Sequence, residues 1–306
     1  MRRREFFQKA GIISTGLLSS LVVPVLSRSW LQREGSDWSF IHFTDVHVQP
    51  ELRAAAGYRQ AVRAMNAARP RLAIAGGDLV FDVFETGYER ADKLFKIYAE
   101  ITGGLDMPVH SVIGNHDLFG VSPKSGVAAA HPEFGKKMFA ARVGGGKTYR
   151  SFDFRDWHFV LLDSIFVTAD SSYEGRIDDE QFAWLQNDLR SVGPKRPVVV
   201  VTHIPFFSIL PTLTDGPAQP VSPSLLISNS KDILSFFADY NVKLILQGHL
   251  HVVEDHRYKA SQYVTSGAIC GNWWKGLRLG HPEGFAVYRI RGEQIEWSYH
   301  TYGWQA

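Results

Sequence analysis

From Trp38 onward the apolar residues come in short blocks, and most blocks stop abruptly at glycine or polar residues. Trp38 to Phe43 predicts a strand that ends at Thr44-Asp45. Arg53 to Arg69 is rich in Ala and Arg and predicts a helix closed by Pro70. Leu72 to Ala75 predicts a short strand running into Gly76-Gly77-Asp78, Tyr88 to Ile101 a second helix, and Val109 to Ile113 a third strand. Strand, helix, strand, helix, strand at this spacing predicts parallel strands joined by crossover helices, hence an α/β fold. In such sheets functional residues gather just past the carboxyl ends of the strands.

The middle of the chain reads differently. Tyr149 to Phe154 and Trp157 to Leu162 flank Arg155-Asp156 and predict a β-hairpin. Asp178 to Arg190 predicts an amphipathic helix with Phe182, Leu185 and Leu189 on one face. Val198 to Val201 predicts a buried strand, Ile233 to Tyr240 a helix, and Leu244 to Leu246 another short strand. Val252 to Tyr302 reads as several antiparallel strands. Leu118 to Ala130 and the proline-rich Leu210 to Pro223 are irregular and read as rims over a cleft. No repeat and no Pro/Gly/Ser linker divides residues 28–306, so they read as one domain.

Residues before this block carry a different signal. Arg2, Arg3 and Arg4 precede Glu5-Phe6-Phe7, and a weakly apolar segment follows from Ala10 to Leu26. That segment is too short and too interrupted for a membrane span, which needs about 20 apolar residues. Arg3-Arg4-Glu5-Phe6-Phe7 resembles a twin-arginine export signal, with small residues for cleavage near Val25-Leu26-Ser27. The expectation is a signal peptide over residues 1–27 and export, already folded, to the periplasm through the twin-arginine machinery.

Bulk composition narrows the classes little. The 306 residues are 45% hydrophobic and 21% charged, with a net charge of +2. No dense Lys/Arg stripe follows the first residues, so no nucleic-acid surface is expected. The single cysteine, Cys270, allows no intrachain disulfide and lies among small apolar neighbours, the setting of a buried small hydrophobe.

Five polar clusters follow apolar strand-like runs. They are Asp45-Val46-His47, Gly77-Asp78, Gly114-Asn115-His116-Asp117, Thr202-His203, and Gly248-His249-Leu250-His251. On an extended backbone residues i and i+2 point the same way, so Asp45 can meet His47, and His249 can meet His251. Carboxylate plus imidazole suits Mn, Fe, Zn or Ni. Asp78 has two oxygens and can serve two ions, and Asn115 offers a neutral oxygen. The neighbouring glycines let the backbone turn and approach closely. Singly each cluster is weak; it is their agreement in type and position that points to a metal site. His42, His110, His131, His158, His256, His281 and His300 lie outside the clusters and read as structural or surface residues.

The ordered set DxH, GD, GNHD, H and GHxH resembles the calcineurin-like metallophosphoesterase superfamily over residues 41 to about 270. The resemblance implies a four-layer α/β/β/α sandwich of two mixed sheets flanked by helices. It implies two metal ions, one held by Asp45, His47, Asp78 and His251, the other by Asp78, Asn115, His203 and His249. It implies hydrolysis of a phosphodiester or phosphomonoester by a metal-bridging hydroxide, with His116 as general acid or charge stabiliser. The histidine at position 47 sets the chain apart from purple acid phosphatases, which carry glycine there. Members that serve only as binding modules usually lose ligands, and here every motif residue is present.

Four neighbours have open roles. Asp117 either orients His116 or caps a turn. Trp273 and Trp274 either stack on a substrate or belong to core and lid, and Lys275 beside them could meet a phosphate.

Overall fold

The computed structural model describes residues 37–306. The expected signal peptide lies outside the described residues. Among the described residues, thirteen strands and six α-helices follow in order. They are β1 Trp38–Phe43, α1 Ala54–Ala67, β2 Leu72–Ala75, α2 Tyr88–Thr102, β3 Val109–Ser111, α3 Lys137–Arg142, β4 Arg150–Phe154, β5 Trp157–Leu161, β6 Ile165–Val167 and β7 Tyr173–Gly175. Then come α4 Asp179–Val192, β8 Val198–Val201, α5 Leu210–Asp215, α6 Ser230–Phe237, β9 Val242–Gln247, β10 Glu254–Tyr258, β11 Ser261–Thr265, β12 Phe285–Arg291 and β13 Gln294–His300.

Two sheets carry the fold, in orders β13-β12-β1-β2-β3 and β10-β11-β9-β8-β5-β4. Both are mixed. β1, β2 and β3 run parallel, as do β5, β8, β9 and β11, while β12, β13, β4 and β10 are antiparallel additions. The period-2 alternation of each strand decides which layer a side chain joins. Phe40, Leu72, Ile74, Phe159, Val199, Val201, Leu244 and Leu246 form the core between the sheets. Phe40 meets Phe159 edge-on there, ring centroids 5.6 Å apart. The alternate residues Ile41, Phe43, Ala73, Val200 and Ile245 share the other core with Tyr58, Leu94, Leu185 and Phe237 of the helices. Each fully buried side chain of this kind contributes about 1.5–3 kcal/mol, so a one-residue slip of a central strand is heavily disfavoured. The expected layers are therefore present.

Several boundaries differ from expectation. β3 stops at Ser111 rather than Ile113, and α6 starts at Ser230 rather than Ile233. The tail is not wholly antiparallel, because β11 pairs with β9 in parallel. The stretch from Leu210 begins as the short helix α5, and both α3 and the small β6–β7 hairpin went unpredicted. Among the described residues, no helix is long and apolar enough to cross a membrane.

Candidate metal centre

The ends of β1, β2, β8 and β9 point their following loops at one another. Backbone bonds lace these loops together: Asp45 N–H donates to Gly77 O at 3.0 Å, His47 N–H to Asp78 O at 3.0 Å, and Gly248 N–H to His203 O at 3.0 Å. Gly114, before the third cluster, sits hard against Asp78. A Cβ there would lie 2.1 Å from Asp78 Oδ1 and 2.2 Å from its backbone nitrogen. Its φ is −105°, so close approach, not a special turn, demands the glycine.

The loops are not extended. Asp45 (φ 54°), His47 (43°), Asp78 (51°), His249 (72°) and His251 (57°) all adopt left-handed backbone. Asp45 and His47 converge as expected, whereas His249 and His251 fall into different ligand groups, and in neither pair is the backbone extended. Left-handed residues other than glycine cost about 1–3 kcal/mol each and persist where surrounding contacts over-determine them. The lacing bonds supply that determination.

Seven side chains meet as a result. Asp45, His47 and Asp78 place ligand atoms within 4.8 Å of one another, and Asp78, His203 and His249 do the same. Asp78 belongs to both groups. Asp78 Oδ2 lies 3.5 Å from His47 Nε2 and 3.1 Å from His203 Nε2. His251 Nε2 lies 3.3 Å from Asp45 Oδ1, and Asn115 Oδ1 lies 3.2 Å from His203 Nε2.

Hydrogen bonds on the far sides of the rings fix what these nitrogens offer. The Nδ1 atoms of His47, His203 and His251 face the carbonyls of Phe81, Gly76 and Gly271 at 3.2, 2.8 and 2.7 Å. A carbonyl only accepts, so each Nδ1 carries a proton and each Nε2 points inward. There it meets carboxylate oxygens and, between His47 and His251, another Nε2 at 3.2 Å. Asp45 Oδ1 is buried with no hydrogen-bond partner. Lone pairs and carboxylates gathered out of water require positive charge between them. The residues therefore fit metal ions.

The titration directions agree with that field. Burial opposes charge on His203, but Asp78 and its hydrogen bond overcome this and lift the imidazole to about 9. Burial dominates at His47 and His249, holding them at about 3 and about 4. Burial alone would raise the Asp78 carboxyl, yet the surrounding histidines hold it well below the usual range.

His116 stands at the mouth, its side chain 27% exposed, with Nδ1 3.4 Å from Asp82 Oδ1. Burial lowers its pKa, but Asp78 and Asp82 reverse the direction. Asp117 does not touch His116's ring. Its Oδ1 accepts the N–H groups of Leu79 (2.9 Å) and Val80 (3.3 Å), and its Oδ2 accepts that of Gly114 (2.9 Å). It is a backbone clamp between the second and third clusters.

Trp274 is core. It is buried, and its indole N–H donates to the carbonyls of Val46 (3.1 Å) and His47 (3.0 Å). Trp273 covers the site instead, with ring centroids 3.9 Å from His47 and 5.0 Å from His116. Cys270 is buried as expected, but its sulfur lies 3.8 Å from His251 Nδ1, directly behind the site. Asp82 carried no sequence signal, since it lies in a loop outside every motif.

The model of the calcineurin-like phosphoesterase family matches residues 39–253. The chain belongs to that family. The family is metal-dependent, and the His/Asp groupings are compatible with such a site. Among curated relatives, the serine/threonine-protein phosphatase CPPED1 of Bos taurus is 27% identical over 258 residues, covering 83% of this chain and 74% of its own. The 3',5'-cyclic adenosine monophosphate phosphodiesterase CpdA of Haemophilus influenzae is 27% identical over 201 residues, covering 64% of this chain and 60% of its own. A dimetal phosphatase from Danio rerio has the same fold, with a TM-score of 0.62, 15% identity, and coverage of 87% of this chain and 96% of its own. So does GAP50, the anchor in the inner membrane complex of Plasmodium, at a TM-score of 0.55, 15% identity, and coverage of 87% and 85%. Fold alone therefore does not decide between catalysis and anchoring.

Proposed function

We propose that the chain is a binuclear metal-dependent phosphoesterase acting on small phosphate esters. The observation that carries this is Asp78, shared between two ligand groups, with Asp45 Oδ1 beside them buried and without a hydrogen-bond partner. Asp45, His47, Asp78 and His251 would hold one ion, and Asp78, Asn115, His203 and His249 the other. Bound ions of the Mn, Fe, Zn or Ni type would supply Lewis acidity to the phosphate oxygens and a nucleophile at neutral pH.

The chain's own residues do the rest. His116, beside the ligands but turned toward solvent, delivers a proton to the departing alkoxide. Asp82 favours the protonated imidazole that this requires. Trp273 shields the ring edges of His47 and His251 from water. The names of the relatives, phosphatase and phosphodiesterase, support monoesters and diesters alike. Arg3-Arg4-Glu5-Phe6-Phe7 supports export to the periplasm.

The test is hydrolysis by the metal-loaded protein of p-nitrophenyl phosphate and bis-p-nitrophenyl phosphate, with Asn115→Ala as control. His116→Ala should retain its metal and lose most turnover on an alkyl ester. Two bound ions without hydrolysis of either reporter would instead favour a binding module.

A further inference from the structure

A cleft of about 410 Å³ opens directly beside His249, His251 and Trp273. One wall of it is apolar: Leu210 and Pro211 of α5, Leu225, Leu250, Leu279 and Trp273. Besides the two histidines, the polar lining is Thr214, Asp215 and Arg278, all of them exposed to water. Leu279 in this lining is 56% exposed, so it is not there for the core.

We infer that this cleft receives the alcohol part of the substrate, and that this part is an apolar chain or ring rather than a sugar or nucleoside. The inference rests on the phosphoesterase reading above. A phosphate seated at the ligands beside His249 and His251 would direct one ester oxygen into the cleft. A hydroxyl-rich leaving group placed against Leu210, Pro211, Leu225 and Leu250 would lose hydration without regaining hydrogen bonds. The aromatic ring in the lining, Trp273, is already packed against His47 at 3.9 Å, His116 at 5.0 Å and Phe81 at 5.8 Å, which leaves it a poorer stacking platform for a nucleobase. An alkyl or aryl group, by contrast, covers the apolar wall and the exposed Leu279 together.

The experiment uses the full chain loaded with metal and a series of n-alkyl phosphates from ethyl to octyl, each below its micelle concentration. The same series of n-alkylphosphonates, which cannot be hydrolysed, is titrated by calorimetry. Both kcat/KM and the association constant should rise about three- to fourfold per added methylene, the factor expected for burying one CH₂. The heat-capacity change of binding should grow more negative along the series. Hexyl phosphate should exceed glucose 6-phosphate by at least tenfold. Leu279→Asp and Leu210→Asp should flatten the chain-length slope, whereas Tyr258→Asp, at an exposed aromatic on β10, should keep it. Ethyl phosphate turnover with a flat slope overturns the inference and leaves the phosphoesterase reading standing. Phosphonate binding that rises with length, without turnover of any ester, upholds the cleft and overturns the phosphoesterase reading. A flat slope in both series without turnover overturns both.

Discussion

Asp117 offers the sharpest test of how the loops are held. It is fully buried and accepts three backbone N–H groups, from Leu79, Val80 and Gly114. Asp117→Ala strands all three. A buried donor without a partner costs about 1–3 kcal/mol, and the Val80 contact, at 3.3 Å, is the weakest of the set. The loss should therefore reach about 3–6 kcal/mol, a large part of the roughly 5–15 kcal/mol that stabilises a folded protein. Asp117→Asn is milder, because its oxygen can still serve Leu79 and Val80 while its amide faces Gly114 N–H, donor against donor. That substitution should cost about 1–3 kcal/mol. At about 2–4 °C per kcal/mol, the alanine variant should melt roughly 6–24 °C early and the asparagine variant roughly 2–12 °C early. Melting by circular dichroism, with metal content measured in parallel, reads both. If Asp117 instead oriented His116, the asparagine variant would lose turnover at unchanged stability. An alanine variant that melted within about 2 °C of the parent would refute the clamp.

Other perturbations follow from the same geometry. Gly114→Ala drives a methyl into Asp78, whose Oδ1 would lie 2.1 Å away, so metal content measured by atomic absorption should fall along with stability; full occupancy would contradict the close approach. Asp82→Asn removes the carboxylate 3.4 Å from His116 Nδ1, so the alkaline limb of the pH–rate profile should move to lower pH; an unmoved limb would separate Asp82 from proton delivery. His158 is buried between Asp153 (2.7 Å) and Asp188 (2.8 Å), and although burial lowers its pKa, these partners reverse the direction to above 6.5. Its contribution is therefore complete below pH 6.5 and fades as pH rises through the folded-state value. Urea unfolding of His158→Gln should show a larger deficit at pH 6 than at pH 9; an equal or reversed deficit would rule the ion pairs out as its source.

What the sequence disclosed and what it withheld have a common physical origin. Apolar runs bounded by polar or glycine residues are local, so β1, β2, β5 and β8 are legible within a residue or so. The site residues are legible for a related reason: each terminates such a strand, and their types suit one chemistry. Partners set by three-dimensional approach are not written locally. Asp82 lies in a loop of no period, and only the fold brings it to His116. Gly114 looks like a turn residue in sequence, yet its backbone is extended and its requirement comes from Asp78 on another strand end. β11 sits beside β9 in parallel although it follows β10 by a short turn, a choice made by sheet order rather than by its own residues.

The left-handed loops extend the point. Nothing in Asp45-Val46-His47 or His249-Leu250-His251 announces positive φ at the outer positions; an extended reading still brings Asp45 to His47, but it joins His249 to His251 where the fold parts them. The two backbones differ in what they store. An extended pair would relax if its ligand left. Five strained residues held by the hydrogen bonds between loops keep the lone pairs aimed inward before any ion arrives. Preorganisation of that kind moves the cost of assembling the site from metal binding to folding. Strand-end loops fixed by two packed sheets are where a chain can carry that cost.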